Sequence, residues 1–233
     1  MKKNLMFSAA LLLAGSLIAA ESSPKDDVAM AAKKLGEKTN YGWKTTVVVP
    51  EGAGFRPGPT EGKTEKDGFI VVSSTFGDNK TETVLKGEKG AVTDQDGVWQ
   101  SLADVEKEEG FGRFRAMMAR AIKTPAVQAA ELAANSKEIK KDGDFYASEL
   151  TDDGAKAQLR FGPRGGGPEV KSAKGAVKFW LKDGLVSKYE MKLTGTMNFN
   201  GEDRDIDRTT TVEIKDVGTT KVTVPEEAKK KLS

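Results

Sequence analysis

Histidine and cysteine, the side chains most often used for covalent and metal chemistry, are absent from all 233 residues. That removes the common general base, the thiolate nucleophile and most transition-metal ligands. A serine nucleophile would need lysine as its base, and no Gly-x-Ser-x-Gly elbow is present. A hydrolase survives only as two carboxylates brought together by the fold, since such a pair need not be close in the chain. Asp203, Asp205 and Asp207 have the alternate spacing of a calcium loop. The rest of that pattern fails: no glycine follows Asp207, Ile214 stands where the closing glutamate belongs, and Arg204 and Arg208 interleave positive charge. A solvated hairpin turn is expected there. Gly165, Gly166 and Gly167, between Pro163 and Pro168, could offer backbone amides to an anion. They do not open a strand-to-helix turn, so a mobile loop is expected. Neither an enzyme nor a metal or cofactor protein is predicted.

The remaining grouping is apolar. Phe111, Phe114, Met117 and Met118 combine rigid rings with the adaptable thioether. Set over a curved sheet lined by Trp43, Phe179, Tyr189, Met191 and Met197, they could form the lid of an apolar ligand pocket. The same spacing also suits an ordinary helix packed on a sheet. A cationic amphipathic helix in transient contact with a membrane is a third possibility, opposed by Glu106, Glu108 and Glu109 just before it.

The elements that would position these side chains are read from periodicity. Ala173, Gly175, Val177, Phe179 and Leu181 alternate with Lys174, Lys178 and Lys182, as a strand does with one dry and one wet face. Trp180 is the large apolar residue out of phase. After Asp183-Gly184, which suits a two-residue type I′ turn, alternation resumes as Leu185, Tyr189, Met191, Leu193, Met197 and Phe199. This Ala173–Phe199 hairpin is long enough to predict a large, strongly curved sheet.

Upstream, Ser23 caps a helix over Pro24–Lys38 whose apolar stripe is Val28, Ala31, Ala32 and Leu35. A strand over Tyr41–Val49 follows, then an irregular crossing over Glu51–Pro59 and a meander of four short strands between Thr60 and Thr93. Helices are expected between Gly110 and Asn135, split at Pro125 with Thr124 as the second cap, with Phe111, Phe114, Met118, Ala121 and Ile122 on one face of the first. A strand pair turning at Asp142-Gly143, a short helix over Thr151–Phe161, a strand through Ile206–Ile214 and a last strand over Thr220–Val224 complete the chain.

Lys2 and Lys3, the apolar run Leu5–Ala20 and the small residues before Glu21 read as a secretory signal peptide cut after Ala20. The run is shorter than the about 20 residues that span a bilayer. Those two lysines are the excess of 37 basic over 35 acidic residues, so the mature chain is neutral and nucleic acid is not an expected partner. Without cysteine, the lipid-modified cysteine of a bacterial lipoprotein is excluded. The fold must also hold without disulfides.

The order of elements, with Tyr41-Gly42-Trp43 opening the first strand, the Asp96-Gly97-Val98-Trp99 turn, the helical insert and the closing Lys221-Val222-Thr223-Val224-Pro225, resembles the periplasmic lipoprotein-carrier superfamily, the LolA/LolB-like and LppX-like fold. That resemblance implies an unclosed β-barrel, with helices over its open side enclosing a hydrophobic cavity for acyl chains or lipidated partners. The expectation is therefore an α+β fold in which residues 21–233 form one domain, a large curved antiparallel sheet with helices on its concave apolar face. Its predicted role is that of a periplasmic or secreted monomer carrying a lipid or lipoprotein acyl chain, or alternatively an envelope protein-binding module. Trp43, Phe111, Phe114, Met118, Phe179, Tyr189, Met191 and Met197 are the expected pocket residues.

Overall fold

The computed structural model describes residues 22–51, 57–77, 79–160, 168–199 and 201–232. The signal segment and the glycine loop of residues 162–167 lie outside the described residues, so those two expectations are not addressed below.

Helix α1 (Pro24–Gly36) forms where its caps dictate. The Ser23 hydroxyl accepts from the Asp26 amide at 3.1 Å while Asp26 accepts back from Ser23, a capping box, and Pro24 occupies the first turn. Strand β1 (Asn40–Val48) follows, then the meander β2 (Pro57–Glu65), β3 (Ile70–Phe76), β4 (Asn79–Lys86) and β5 (Lys89–Thr93), and the short β6 (Trp99–Ser101). Three helices come next: α2 (Leu102–Val105), α3 (Phe111–Arg120) and α4 (Pro125–Ala134). Strands β7 (Lys140–Asp142) and β8 (Phe145–Glu149), helix α5 (Asp152–Leu159), and the long strands β9 (Glu169–Lys182), β10 (Leu185–Phe199) and β11 (Glu202–Lys215) lead to α6 (Glu226–Lys231).

The eleven strands among the described residues form one antiparallel sheet in the order β6-β5-β4-β3-β2-β1-β11-β10-β9-β8-β7. Two meanders, before and after the helical insert, are joined by a single long-range pairing of β1 with β11. The sheet is curved and does not close, its order starting at β6 and ending at β7. The fold is α+β.

The β9–β10 hairpin turns as its sequence requires, with Asp183 at φ 53° and Gly184 at φ 70°. Its dry face is shifted near the turn. A bulge between Val186 and Lys188 makes Val186 the fully buried residue, and Leu185, expected on that face, sits half-buried at its margin. Trp180 lies on the wet face against Phe145, ring centroids 5.6 Å apart, under the Lys188 ammonium at 4.3 Å.

Helices α1 and α4 pack together across the concave face. Val28, Ala31, Ala32 and Leu35 from α1 and Ala126, Ala129, Leu132 and Ala133 from α4 meet Val177, Phe179, Tyr189, Met191 and Leu193 of the sheet. Each large side chain so buried contributes about 1.5–3 kcal/mol. A second cluster joins Leu85 and Val92 to Leu102, Val105, Ala116 and Ala119 of α2 and α3, on the same face.

Two expectations are corrected. Residues 220–224 are not a strand: the chain turns at Asp216 and Gly218, both with positive φ, and carries Val222 and Val224 onto the convex face. There, with α6, they cover Val84, Ala91 and Trp99. Asp203, Asp205 and Asp207 are within β11 rather than in a turn, with Asp203 bound to Lys171 at 2.7 Å and Asp205 to Thr196 at 2.9 Å.

Candidate functional site

The structure divides the eight expected pocket residues into two groups. Trp43 is buried in β1, directly across from Gly62 in β2 and 6.1 Å from the Tyr41 ring. Phe179, Tyr189, Met191 and Met197 point the same way from β9 and β10 and are between 0% and 3% exposed. The rings of Phe179 and Tyr189 lie 6.4 Å apart, and the Tyr189 hydroxyl donates to Oε1 of Gln128 in α4 at 2.5 Å. These residues therefore belong to one filled core with the buried side chains of α1, α4 and α5.

Phe111, Phe114 and Met118 behave differently. They are 62%, 45% and 42% exposed. Helix α3 turns Ala116 and Ala119 onto α2 and β5 instead. Small residues permit that close approach, and polar bonds fix it. The Arg115 guanidinium reaches the Thr93 carbonyl at 3.2 Å and Gln100 Oε1 at 2.5 Å, and Arg120 donates to Glu106 at 2.7 Å and to the Glu88 carbonyl. The expected inward face of α3 is thus rotated to a flank. Residues three and four apart share that flank, and it ends in Ile122, which packs against both concave clusters. The Phe/Met stripe accordingly borders the part of the concave face that lies between the two groups of helices.

The floor of that part was not foreseen from sequence. Register places Val212, Thr45, Thr60, Ser74 and Thr81 opposite one another across β11, β1, β2, β3 and β4. The four hydroxyl residues are half-buried, and Thr60 donates to Ser74 at 3.2 Å. A signal existed in the hydroxyl residues of β2–β4, Thr60, Ser74 and Thr81 among them, but the partner strands needed to align them are not local. Near the end of this floor a depression of about 420 Å³ is lined by Val47, Val48, Val49, Glu51 and Pro57. Another, of about 630 Å³, lies on the convex side between Phe69, Lys86, Glu88, Lys89, Lys229 and Leu232. Among the described residues, no group of three or more acidic side chains is placed to hold a metal ion, and no helix is long and apolar enough to cross a membrane.

Burial raises the pKa of two concave tyrosines. The Tyr189 phenol is pushed far above its ordinary value by desolvation, with the neighbouring Tyr41 adding to it. Tyr41 is raised by burial against the opposing effect of hydrogen bonds to Thr124 and Ala126. A phenol whose folded pKa exceeds the unfolded value of about 10 gives stability that is intact below that pH and lost as pH rises toward the folded value. The melting temperature is therefore expected to be flat to about pH 9 and to fall steeply above pH 10. Tyr189→Phe should flatten that fall while costing about 1 kcal/mol at neutral pH through loss of the Gln128 bond. An alkaline limb of unchanged slope in the variant would show that other groups govern it.

No family model matches this sequence, and no curated protein matches it. Similar solved structures include the lipoprotein LppX of Mycobacterium tuberculosis, at a TM-score of 0.46 and 8% identity, covering 87% of this chain and 98% of that one. LprF from Mycobacterium bovis aligns at a TM-score of 0.49 and 9% identity, over 88% of this chain and 97% of its own. A DUF1329 family protein from Desulfovibrio piger aligns at a TM-score of 0.28 and 11% identity, over 85% and 96%. LppX, whose type of fold the order of elements resembles, is thus among the similar structures.

Proposed function

We propose that the chain is an exported, non-enzymatic binding protein that carries a lipid or a lipoprotein acyl chain, held without covalent bonds on the concave face of its sheet. The observation that carries this reading is the stripe of Phe111, Phe114 and Met118, exposed along one flank of α3 beside an unclosed sheet. Large exposed apolar side chains in a row are costly to keep in water and mark a surface that receives an apolar partner. In this reading α3 is the lid and Trp43 lies in the wall facing it. Phe179, Tyr189, Met191 and Met197 back that wall and touch ligand only where the helices packed on the concave face move aside. Residues 21–233 act as one monomeric domain in the periplasm or outside the cell after removal of residues 1–20.

The test is native mass spectrometry, with organic extraction, of protein purified from its own host. A lipid or an acylated peptide bound one to one is the expected result. Protein that emerges ligand-free, and that takes up no fatty acid when offered it, overturns the reading. A second reading, a protein-binding module of the cell envelope, is favoured by the burial of Phe179, Tyr189, Met191 and Met197 in one core with residues of α1, α4 and α5. It predicts a co-purifying protein and no lipid.

A further inference from the structure

Arg208 is a cation on the dry side of the sheet. It stands opposite Leu193 in β10, a fully buried residue of the concave core. One guanidinium nitrogen, Nη2, donates to the Gln158 carbonyl at the C-terminal end of α5 at 3.0 Å. Its Nε is buried and has no hydrogen-bond partner. The neighbouring acids are engaged elsewhere: Asp207 faces Lys192 at 3.9 Å, Asp203 faces Lys171 at 2.7 Å and Glu202 faces Arg204 at 3.3 Å. No ion pair among the described residues includes Arg208.

Removing a charge from water is strongly unfavourable unless an opposite charge or a full set of hydrogen bonds replaces the solvent. A helix C-terminal carbonyl offsets only part of that cost. Desolvation also draws the Arg208 pKa below its ordinary value. Beyond it on the same face of β11 come Thr210 and then Val212, where the hydroxyl-bearing floor starts and crosses β1, β2 and β3 to β4. At about 4.8 Å per strand that path is roughly 19 Å long, and it ends on β4, which with β5 carries α2 and α3.

We propose that Arg208 anchors the anionic oxygen head, a carboxylate or a phosphate, of the amphiphile carried on the concave face, whose tail runs over the hydroxyl floor to the Phe/Met stripe of α3. The planar guanidinium offers parallel donors that fit either head. This inference rests on the carrier reading and adds to it the charge of the ligand.

Dodecanoate, dodecyl phosphate and dodecanol share one tail and differ in the head, so calorimetric titration of the delipidated mature chain with all three isolates it. Both anions are expected to bind at least tenfold more tightly than the alcohol, and the tighter of the two identifies the head as carboxylate or phosphate. Arg208→Gln should abolish that preference and leave dodecanol binding unchanged, while Arg208→Lys restores part of it. A second readout needs no variant beyond one for assignment: the Arg208 Nε–Hε resonance should shift on addition of the anions and not of the alcohol. Equal binding of all three, an anion preference that survives Arg208→Gln, or a silent resonance overturns the proposal and leaves the carrier reading standing. Binding of none of the three overturns both.

Discussion

Replacing Gly62 by valine is expected to cost the fold about 3–5 kcal/mol, close to the loss of a buried tryptophan. Gly62 pairs with Trp43 across β1 and β2, and the indole lies over it. A β-carbon at Gly62 would sit 2.0 Å from Cζ2 and 2.2 Å from Cε2 of Trp43. Those are ring atoms, so no flexible chain end can move away. Trp43 is 6% exposed, with Tyr41 at 6.1 Å on one side. Either the ring leaves the core or β2 moves off β1, beside the single pairing that joins the two meanders. Chemical denaturation should show the drop in midpoint directly. In the double variant Gly62→Val with Trp43→Ala, the two losses should fall well short of additive, because both remove the same packing. A Gly62→Val loss below about 1 kcal/mol would mean that the ring has a second resting place.

Local chemistry made much of this fold legible. Ser23, Pro24 and Asp26 specify the start of α1 within four residues, and Asp183-Gly184 specifies the hairpin turn within two. The alternation of Phe179, Tyr189, Met191 and Met197 located the concave wall because one dry face requires a period of two. What was hidden depends on partners distant in sequence. The bulge that puts Val186 inside is a property of the β9–β10 register, not of either strand. Val222 and Val224 alternate as a strand would, but they pair with none among the described residues and instead cover Val84, Ala91 and Trp99 on the convex face.

The orientation of α3 could not be read from its sequence. Apolar periodicity points Phe111, Phe114 and Met118 inward, yet a helix docks by the face that lets backbones approach and satisfies its polar side chains. Ala116 and Ala119 allow the first, and Arg115, bonded to Thr93 and Gln100, requires the second. Arg208 was hidden for the same reason. On the dry parity of β11 its charge reads as an interruption, and only the placement of α5 shows that it is enclosed without a carboxylate.

The α3 stripe therefore decides between function and packing. In the triple variant Phe111→Gln, Phe114→Gln and Met118→Gln, glutamine keeps helix propensity near that of methionine while removing apolar surface. If the stripe is core, as its spacing alone would allow, stability should fall by several kcal/mol, since each large buried side chain is worth about 2–5 kcal/mol. Exposures of 42–62% argue the opposite. Melting should shift little, each exposed site contributing within about 0.5 kcal/mol. Affinity should respond far more. Covering three such side chains with an acyl chain at even about 1 kcal/mol each corresponds to a loss of roughly a hundredfold on substitution. Ala116→Leu supplies the control with the reverse signature, because it overfills the contact of α3 with α2 and β5 and should reduce stability by about 1–3 kcal/mol. Unchanged fatty-acid affinity in the triple variant would remove α3 from the binding site, and loss of a protein partner with lipid binding retained would transfer the stripe to the protein-binding reading. Intact folding with affinity reduced a hundredfold is the result that makes α3 a lid.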